Sequence, residues 1–366
     1  MNDNHKQEQE QEQEQEQEQE QEQELAPRLH ASASASASAS ASALAAEATE
    51  PLLIRDENRF VMFPIKYPDI FRMYKNSIDS FWKVDDVDLS KDLTDWKKLS
   101  DDERYFIKMI LAFFSSSDGI VCENLSLRFS NDIHIAEVRA FYAFQNFMET
   151  IHSEMYSLLI ETYIDNQEEK SDLLQATSKF PFIEQKTLWI RKYISNYDAP
   201  FNVRLIAFAI TEGIFFSSSF AAIFWIKQKN ILPGLCLSNE YISRDESLHV
   251  EHAILLYSKL NVRVPQELFY QMLDEAVNIE IDFICNSIPC RLIGMNAGSM
   301  TKYIRFVADR LAVQLGYQKI YLATNPFAFM ELISVETKTN FFEHRVSEYA
   351  LADKSKKDVF EENVYF

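Results

Sequence analysis

Between Leu205 and Ile226 the chain reads LIAFAITEGIFFSSSFAAIFWI, a run whose single ionisable group is Glu212. A helix that is apolar all round has two homes, a bilayer or the centre of a large helical protein. Length alone suits a bilayer, which needs about 20 apolar residues. Glu212 lies well inside the run, and a carboxylate at that depth in lipid is costly without a partner. The run is therefore expected to be a buried helix whose acid points at a balancing charge, and no membrane association is expected.

The rest of the body, from Pro51 onward, repeats apolar residues at helical spacing. Phe60–Pro68 (FVMFPIKYP) is an extended lead-in broken by two prolines, and Ser80 or Asp86 could open the next ordered piece. Asp101–Ser117 begins with acids, as helix N-termini prefer, and then turns apolar. Further helical windows are Ile135–Ile164, Ser171–Phe180, Gln185–Ser195, Val203–Lys229, Ser238–Leu260, Pro265–Ser287, Gly298–Leu315 and Phe327–Ile333. The segment Gly294–Gly298 reads as a turn. No alternating apolar runs bounded by turn signals compete, so the fold class is all-α.

Both ends differ from this body. Glu and Gln alternate from Gln7 to Glu24, and Ala and Ser from Ala31 to Ala43. Neither tract carries apolar surface to offset the entropy of ordering, so residues 1–49 are expected to be a disordered head. Residues 50–349 form the expected helical domain, and residues 350–366 a charged tail without a periodic face. Of the net charge of −20, the first 50 residues hold 12 acids against two bases, which leaves −10 on the other 316. An acidic body is poorly suited to a phosphate backbone, and no nucleic-acid partner is expected. Six glycines in 366 residues leave little material for phosphate-binding loops, and neither GxGxxG nor a P-loop string occurs. Cys122, Cys236, Cys285 and Cys290 show no CxxC spacing and follow no signal peptide, which suggests reduced thiols and a cytoplasmic location.

Two Glu-x-x-His pairs stand on separate helical windows: Glu149/His152 in METIHSEMY and Glu246/His249 in SRDESLH. A three-residue spacing brings both side chains of a pair to one face of a helix. Imidazole and carboxylate together suit iron or manganese. In di-iron carboxylate bundles two helices each give such a pair and two others give one acid each. The extra acids are present on apolar stretches: Asp118 in FFSSSDGI and Glu212 in AITEGIFF. Four buried carboxylates without counter-charge would be very costly, and two ferrous ions would cancel them. A single pair arises easily by chance, whereas two pairs and two lone acids in the order acid, pair, acid, pair do not. His252, three residues after His249, is read as a packed histidine because the ligand set is complete without it. His134 and His344 are read as surface residues.

The strings SDGIV, IHSEMYSLLI, EGIFFS, FAAIFW, SNEYISRDE, LIGMN and NPFAFME, in this order, resemble the small subunit of eukaryotic-type class I ribonucleotide reductase from Glu50 to the C-terminus. An aspartate as the first acidic ligand is a mark of that family. The resemblance implies a ferritin-like di-iron helical bundle with additional helices, and two iron ions per chain loaded with oxygen. It assigns Asp118, Glu149 and His152 to one iron, and Glu212, Glu246 and His249 to the other, with Glu149 and Glu246 able to bridge. It makes Tyr156 the residue that becomes a stable radical, in a pocket of Phe216, Phe220 and Ile242. Spacing supports Tyr156 independently, since it follows Glu149 by two helical turns, roughly 10 Å along one face. By the same resemblance Trp82, Asp245 and Tyr349 relay the radical, with Asp245 hydrogen-bonded to His152. Phe360 and Phe366 in the final FEENVYF would dock the reductase large subunit, and the small subunit would be a homodimer.

Two features depart from the family pattern. The low-complexity head has no counterpart, and Cys122 stands one turn after Asp118 where a polar residue is expected. Three functions stay open on sequence: the radical subunit, a di-iron oxygenase or ferritin-like iron protein, and a non-catalytic partner subunit. The first alone uses Tyr156, Trp82 and the tail together with all six ligands.

Overall fold

The structure, a computed structural model, describes residues 49–55, 60–196 and 198–330, apart from the side chains of residues 118, 120–122, 126, 127 and 292. The head up to residue 48 and the residues His344, Tyr349, Phe360 and Phe366 lie outside the described residues, as do the side chains of Asp118 and Cys122.

Among the described residues the regular structure is helical throughout. The principal helices are α1 (Pro68–Asp79), α2 (Asp92–Trp96), α3 (Asp101–Asn124), α4 (Ala136–Tyr163), α5 (Gln167–Leu174), α6 (Ala176–Lys179), α7 (Pro181–Tyr193), α8 (Phe201–Ile210), α9 (Ser217–Gln228), α10 (Pro233–Ser258), α11 (Gln266–Ile281) and α12 (Ala297–Gln314). Local chemistry sets many of their starts. Ser100 and Glu103 form a reciprocal capping box at α3, with Ser100 N–H donating to Glu103 (3.0 Å) and Glu103 N–H donating to the Ser100 hydroxyl (3.2 Å). Asn166 and Asn296 cap α5 and α12 with their side-chain oxygens. Prolines at the first turn open α1, α7 and α10.

Helix α10 begins in a tight place. A Cβ on Gly234 would come within 2.9 Å of the Asp88 carbonyl, so only glycine lets the two backbones approach. Asp92 in α2 then accepts from Gly234 N–H and Leu235 N–H, both at 2.8 Å, and caps α10 from a distance.

Two of the expected helical windows contain π turns, Thr211–Phe215 and Asp282–Ser287, and a third π turn, Leu125–Phe129, lies beyond the expected helix Asp101–Ser117. Apolar periodicity predicts continuous helices over Val203–Lys229 and Pro265–Ser287, because a π turn absorbs one extra residue without removing the pattern on either side. The other differences are smaller. Helices α1 and α2 are not among the predicted helices, and Ser171–Phe180 resolves into the separate helices α5 and α6.

The core of the bundle is α3 against α4, and α8 with α9 against α10, with α10 closing onto α4. Helix α1 lies across α4 and α10, while α7, α11 and α12 cover the α8–α9 side. The apolar run is consequently interior: of the most apolar stretch of Phe201–Gln228, 89% is buried. That is the placement of a core helix rather than a lipid-facing one.

Candidate metal centre

The four central helices converge on one buried cluster. Glu149 and His152 come from α4, Glu246 and His249 from α10, and Glu212 from the π turn between α8 and α9; all five are at most 4% exposed. Ligand atoms of Glu149, Glu212, Glu246 and His249 lie within 4.8 Å of one another. The backbone of Asp118 is on α3, which packs along α4.

The two outer glutamates each face both histidines. Glu149 presents Oε2 to His152 Nδ1 at 3.3 Å and Oε1 to His249 Nδ1 at 3.1 Å. Glu246 presents Oε1 to His152 Nδ1 at 3.0 Å and Oε2 to His249 Nδ1 at 3.1 Å. A carboxylate that turns one oxygen to each of two imidazoles is disposed to bridge two cations. Gln145, one turn before Glu149, reaches Glu149 Oε1 at 3.4 Å.

A tautomer argument tests whether this cluster fits a metal. Asp245 Oδ2 accepts from Trp82 Nε1–H at 2.7 Å and meets His152 Nε2 at 3.1 Å. A carboxylate oxygen only accepts, so His152 Nε2 carries a proton. In the neutral imidazole Nδ1 is then a lone pair aimed at two carboxylates, and it makes no hydrogen bond of proper geometry. Lone pair against carboxylate is repulsive unless a cation lies between. Burial disfavours a charged imidazole, but the hydrogen bond to Asp245 and the adjacent carboxylates of Glu149 and Glu246 prevail and hold His152 well above the usual histidine range. His249 behaves alike: burial opposes its charge, yet Glu149 and Glu246 raise it to about 10. Glu246 is held well below the carboxylate range despite burial, chiefly by His249. Without a metal, protons fill the place of cations, and metal binding must release them. The donor set, three carboxylates and two imidazoles presenting Nδ1, fits a hard divalent ion.

His252, by contrast, is stacked on Phe141 with ring centroids 3.6 Å apart, and burial with the nearby His249 depresses its pKa well below the usual histidine range. It packs as the sequence suggests. His134 is half-buried, less exposed than expected.

Tyr156 is 3% exposed and lies on the same helix as Glu149 and His152. Its ring stacks on Phe114 at 4.7 Å; Phe114 in turn meets Phe216 at 5.7 Å and Phe220 at 5.2 Å. Phe114 is thus the immediate neighbour that sequence reasoning missed, although its place one turn before Asp118 on the same helix face was a signal. Ile242 is buried one turn before Glu246. Trp82 stacks near His152 at 6.1 Å and Tyr241 at 5.3 Å. Arg244 braces the same corner, donating to the Ser80 carbonyl at 2.6 Å and to Asp245 Oδ1 at 3.3 Å.

Comparison with known proteins decides the family. Residues 59–326 match the family model described as ribonucleotide reductase, small chain. The protein belongs to that family. It is 54% identical over 306 residues to a ribonucleoside-diphosphate reductase small chain of Arabidopsis thaliana, covering 84% of this sequence and 89% of that one. The corresponding small chain of Variola virus is 53% identical over 300 residues, covering 82% of this sequence and 94% of the relative. The ribonucleotide reductase Rnr4 homodimer from Saccharomyces cerevisiae has a similar fold, with a TM-score of 0.73 at 37% identity over 83% of this sequence and 94% of that one. The small chain therefore has the ferritin-like helical fold of its family, and its buried carboxylate–histidine cluster is a candidate metal site of a ribonucleoside-diphosphate reductase subunit.

Proposed function

We propose that this small chain generates and stores a tyrosyl radical at Tyr156 and delivers it to a reductase large subunit, where ribonucleotides become deoxyribonucleotides. The observation that carries the reading is the pair of imidazole Nδ1 atoms set between the split oxygens of Glu149 and Glu246, with Tyr156 on the same helix. Asp118, Glu149 and His152 would hold one iron, and Glu212, Glu246 and His249 the other. Iron held there would supply redox chemistry with oxygen and enough oxidising power to take one electron from Tyr156.

The protein's own residues do the rest. Asp245 fixes the His152 tautomer by accepting a hydrogen bond from its Nε2–H. Phe114, Phe216, Phe220 and Ile242 shield the phenol ring from water and reductants. Trp82 Nε1–H already points at Asp245 Oδ2, so a proton leaving an oxidised Trp82 has an acceptor at 2.7 Å. That supports a path from the cluster through Asp245 and Trp82, with Tyr349 as the outgoing member. The subunit works as a homodimer in the cytoplasm, with Phe360 and Phe366 anchoring its tail on the large subunit.

Electron paramagnetic resonance after adding Fe(II) and oxygen to metal-free protein tests the reading. Wild-type protein should give a tyrosyl signal, and Tyr156→Phe should bind iron normally yet give none and support no reduction. An unaltered signal in Tyr156→Phe would place the radical elsewhere. For the tail, Phe366→Ala should weaken large-subunit binding by at least about 1 kcal/mol, with iron content unchanged. Equal affinity, together with failure of the peptide FEENVYF to compete, would remove the docking role.

A further inference from the structure

Outside the carboxylate cluster, one ion pair among the described residues is completely buried. Lys186 on α7 and Glu280 on α11 are both 0% exposed, with Nζ 2.6 Å from Oε2. Such pairs are poor stabilisers, since well-packed apolar residues often do as well or better, so their presence asks for another role. Lys186 Nζ also donates to the Phe215 carbonyl at 2.9 Å and sits 3.7 Å and 3.6 Å from the ring centroids of Phe113 and Phe283. The Ser218 hydroxyl on α9 donates to Glu280 Oε1.

Phe215 closes the π turn Thr211–Phe215, and α9 starts two residues later at Ser217. The same turn carries Glu212 into the carboxylate cluster, while Phe216 and Phe220, just beyond it, form the aromatic wall on Phe114 beside Tyr156. An α-helix advances about 100° per residue, and a π turn absorbs one residue relative to it. Reversion of this turn to α would therefore swing Phe216 and Phe220 by about 100° relative to Glu212. One side or the other would lose its place.

We propose that Lys186, held by Glu280 and Ser218, is a positioning residue that pins the last carbonyl of the π turn and so sets the angle between Glu212 and the aromatic wall around Tyr156. The cation lies among rings rather than water, so its hydrogen bond to Phe215 is not diluted by solvent. Phe113, under the ammonium, is 5.6 Å from Phe114, which stacks on Tyr156. This inference rests on reading Glu212 as a metal ligand and Tyr156 as the radical site.

The test is the full-length double variant Lys186→Met/Glu280→Met, which removes both charges together and leaves no unpaired one. A purely stabilising pair would change thermal stability and leave the radical as it was. The positioning role requires the reverse: an unfolding temperature close to the parent's, but a changed hyperfine pattern and a radical lifetime shortened about tenfold, the rate equivalent of one charged hydrogen bond. A crystal structure of the variant should show Thr211–Phe215 out of its π register. A parent-like radical, or a retained π turn with Phe216 in place, overturns the proposal. If the parent itself yields no tyrosyl radical, the functional reading fails, and the crystallographic result alone decides whether Lys186 sets the turn. Should the double variant not be recovered, Ser218→Ala, which deletes one hydroxyl, should still shorten the lifetime measurably, and a parent-like lifetime there counts against the proposal.

Discussion

Two arrangements of buried acids in this small chain contrast. Asp92 and Asp309 are fully buried and fully served: Asp92 accepts from the Tyr163 hydroxyl (2.6 Å) and two backbone N–H groups, and Asp309 from the N–H groups of Ile320, Tyr321 and Ala323 at 2.8–2.9 Å. Glu149, Glu212 and Glu246 are as deeply buried but face one another and the Nδ1 atoms of two histidines. The first set carries its donors within the fold and can only stabilise. The second is complete only with added positive charge. Burial alone therefore does not mark a functional acid; the identity of its partners does.

The largest effect that could break this contrast is loss of metal. Glu212→Ala should leave the cluster unable to hold its full complement of about two irons per chain, measured by metal analysis after anaerobic Fe(II) loading. Full occupancy would remove Glu212 from the ligand set. In the metal-free state the isosteric Glu212→Gln should be no less stable than the parent, because one of three mutually repelling carboxylates is gone.

The served acids should respond the opposite way. Asp309→Ala strands three backbone donors and should cost about 3 kcal/mol or more in chemical denaturation, while iron content of the folded fraction stays at the parent value. A loss of iron without a loss of stability would reverse the distinction.

Asp245 stands between the classes, since it accepts a hydrogen bond from Trp82 and orients His152. Trp82→Phe removes one hydrogen bond and should cost about 1 kcal/mol. Iron binding and the radical should survive, but reduction with the large subunit should fail. Unimpaired turnover would take Trp82 out of the relay.

Much of this was legible in the residues, for a physical reason. Helix α4 keeps a single uninterrupted period from Ala136 to Tyr163, so spacing alone aligned Glu149, His152 and Tyr156, and the expected window misses by one residue at each end. The region around Glu212 was less legible. Its apolar residues announce a buried helix, but hydrophobicity does not register a π turn, and the phase between Glu212 and Phe216 was hidden. Helix α3 runs on to Asn124, beyond the expected end at Ser117; its serines look like a stop in sequence, but the Ser116 hydroxyl donates to the Ala112 and Phe113 carbonyls within the helix rather than opening a turn. Lys186 and Glu280 were silent, since on sequence they resemble any solvated charges on amphipathic helices.

The central claim is that the carboxylate–histidine cluster is built around cations. Anaerobic Fe(II) titration of metal-free protein, followed by thermal unfolding at each addition, tests it directly. Binding to the folded state alone should saturate near two irons per chain and raise the unfolding temperature progressively up to that point. The rise should be absent in Glu212→Ala. Protein that takes up no iron, or whose stability is indifferent to it, would contradict the claim.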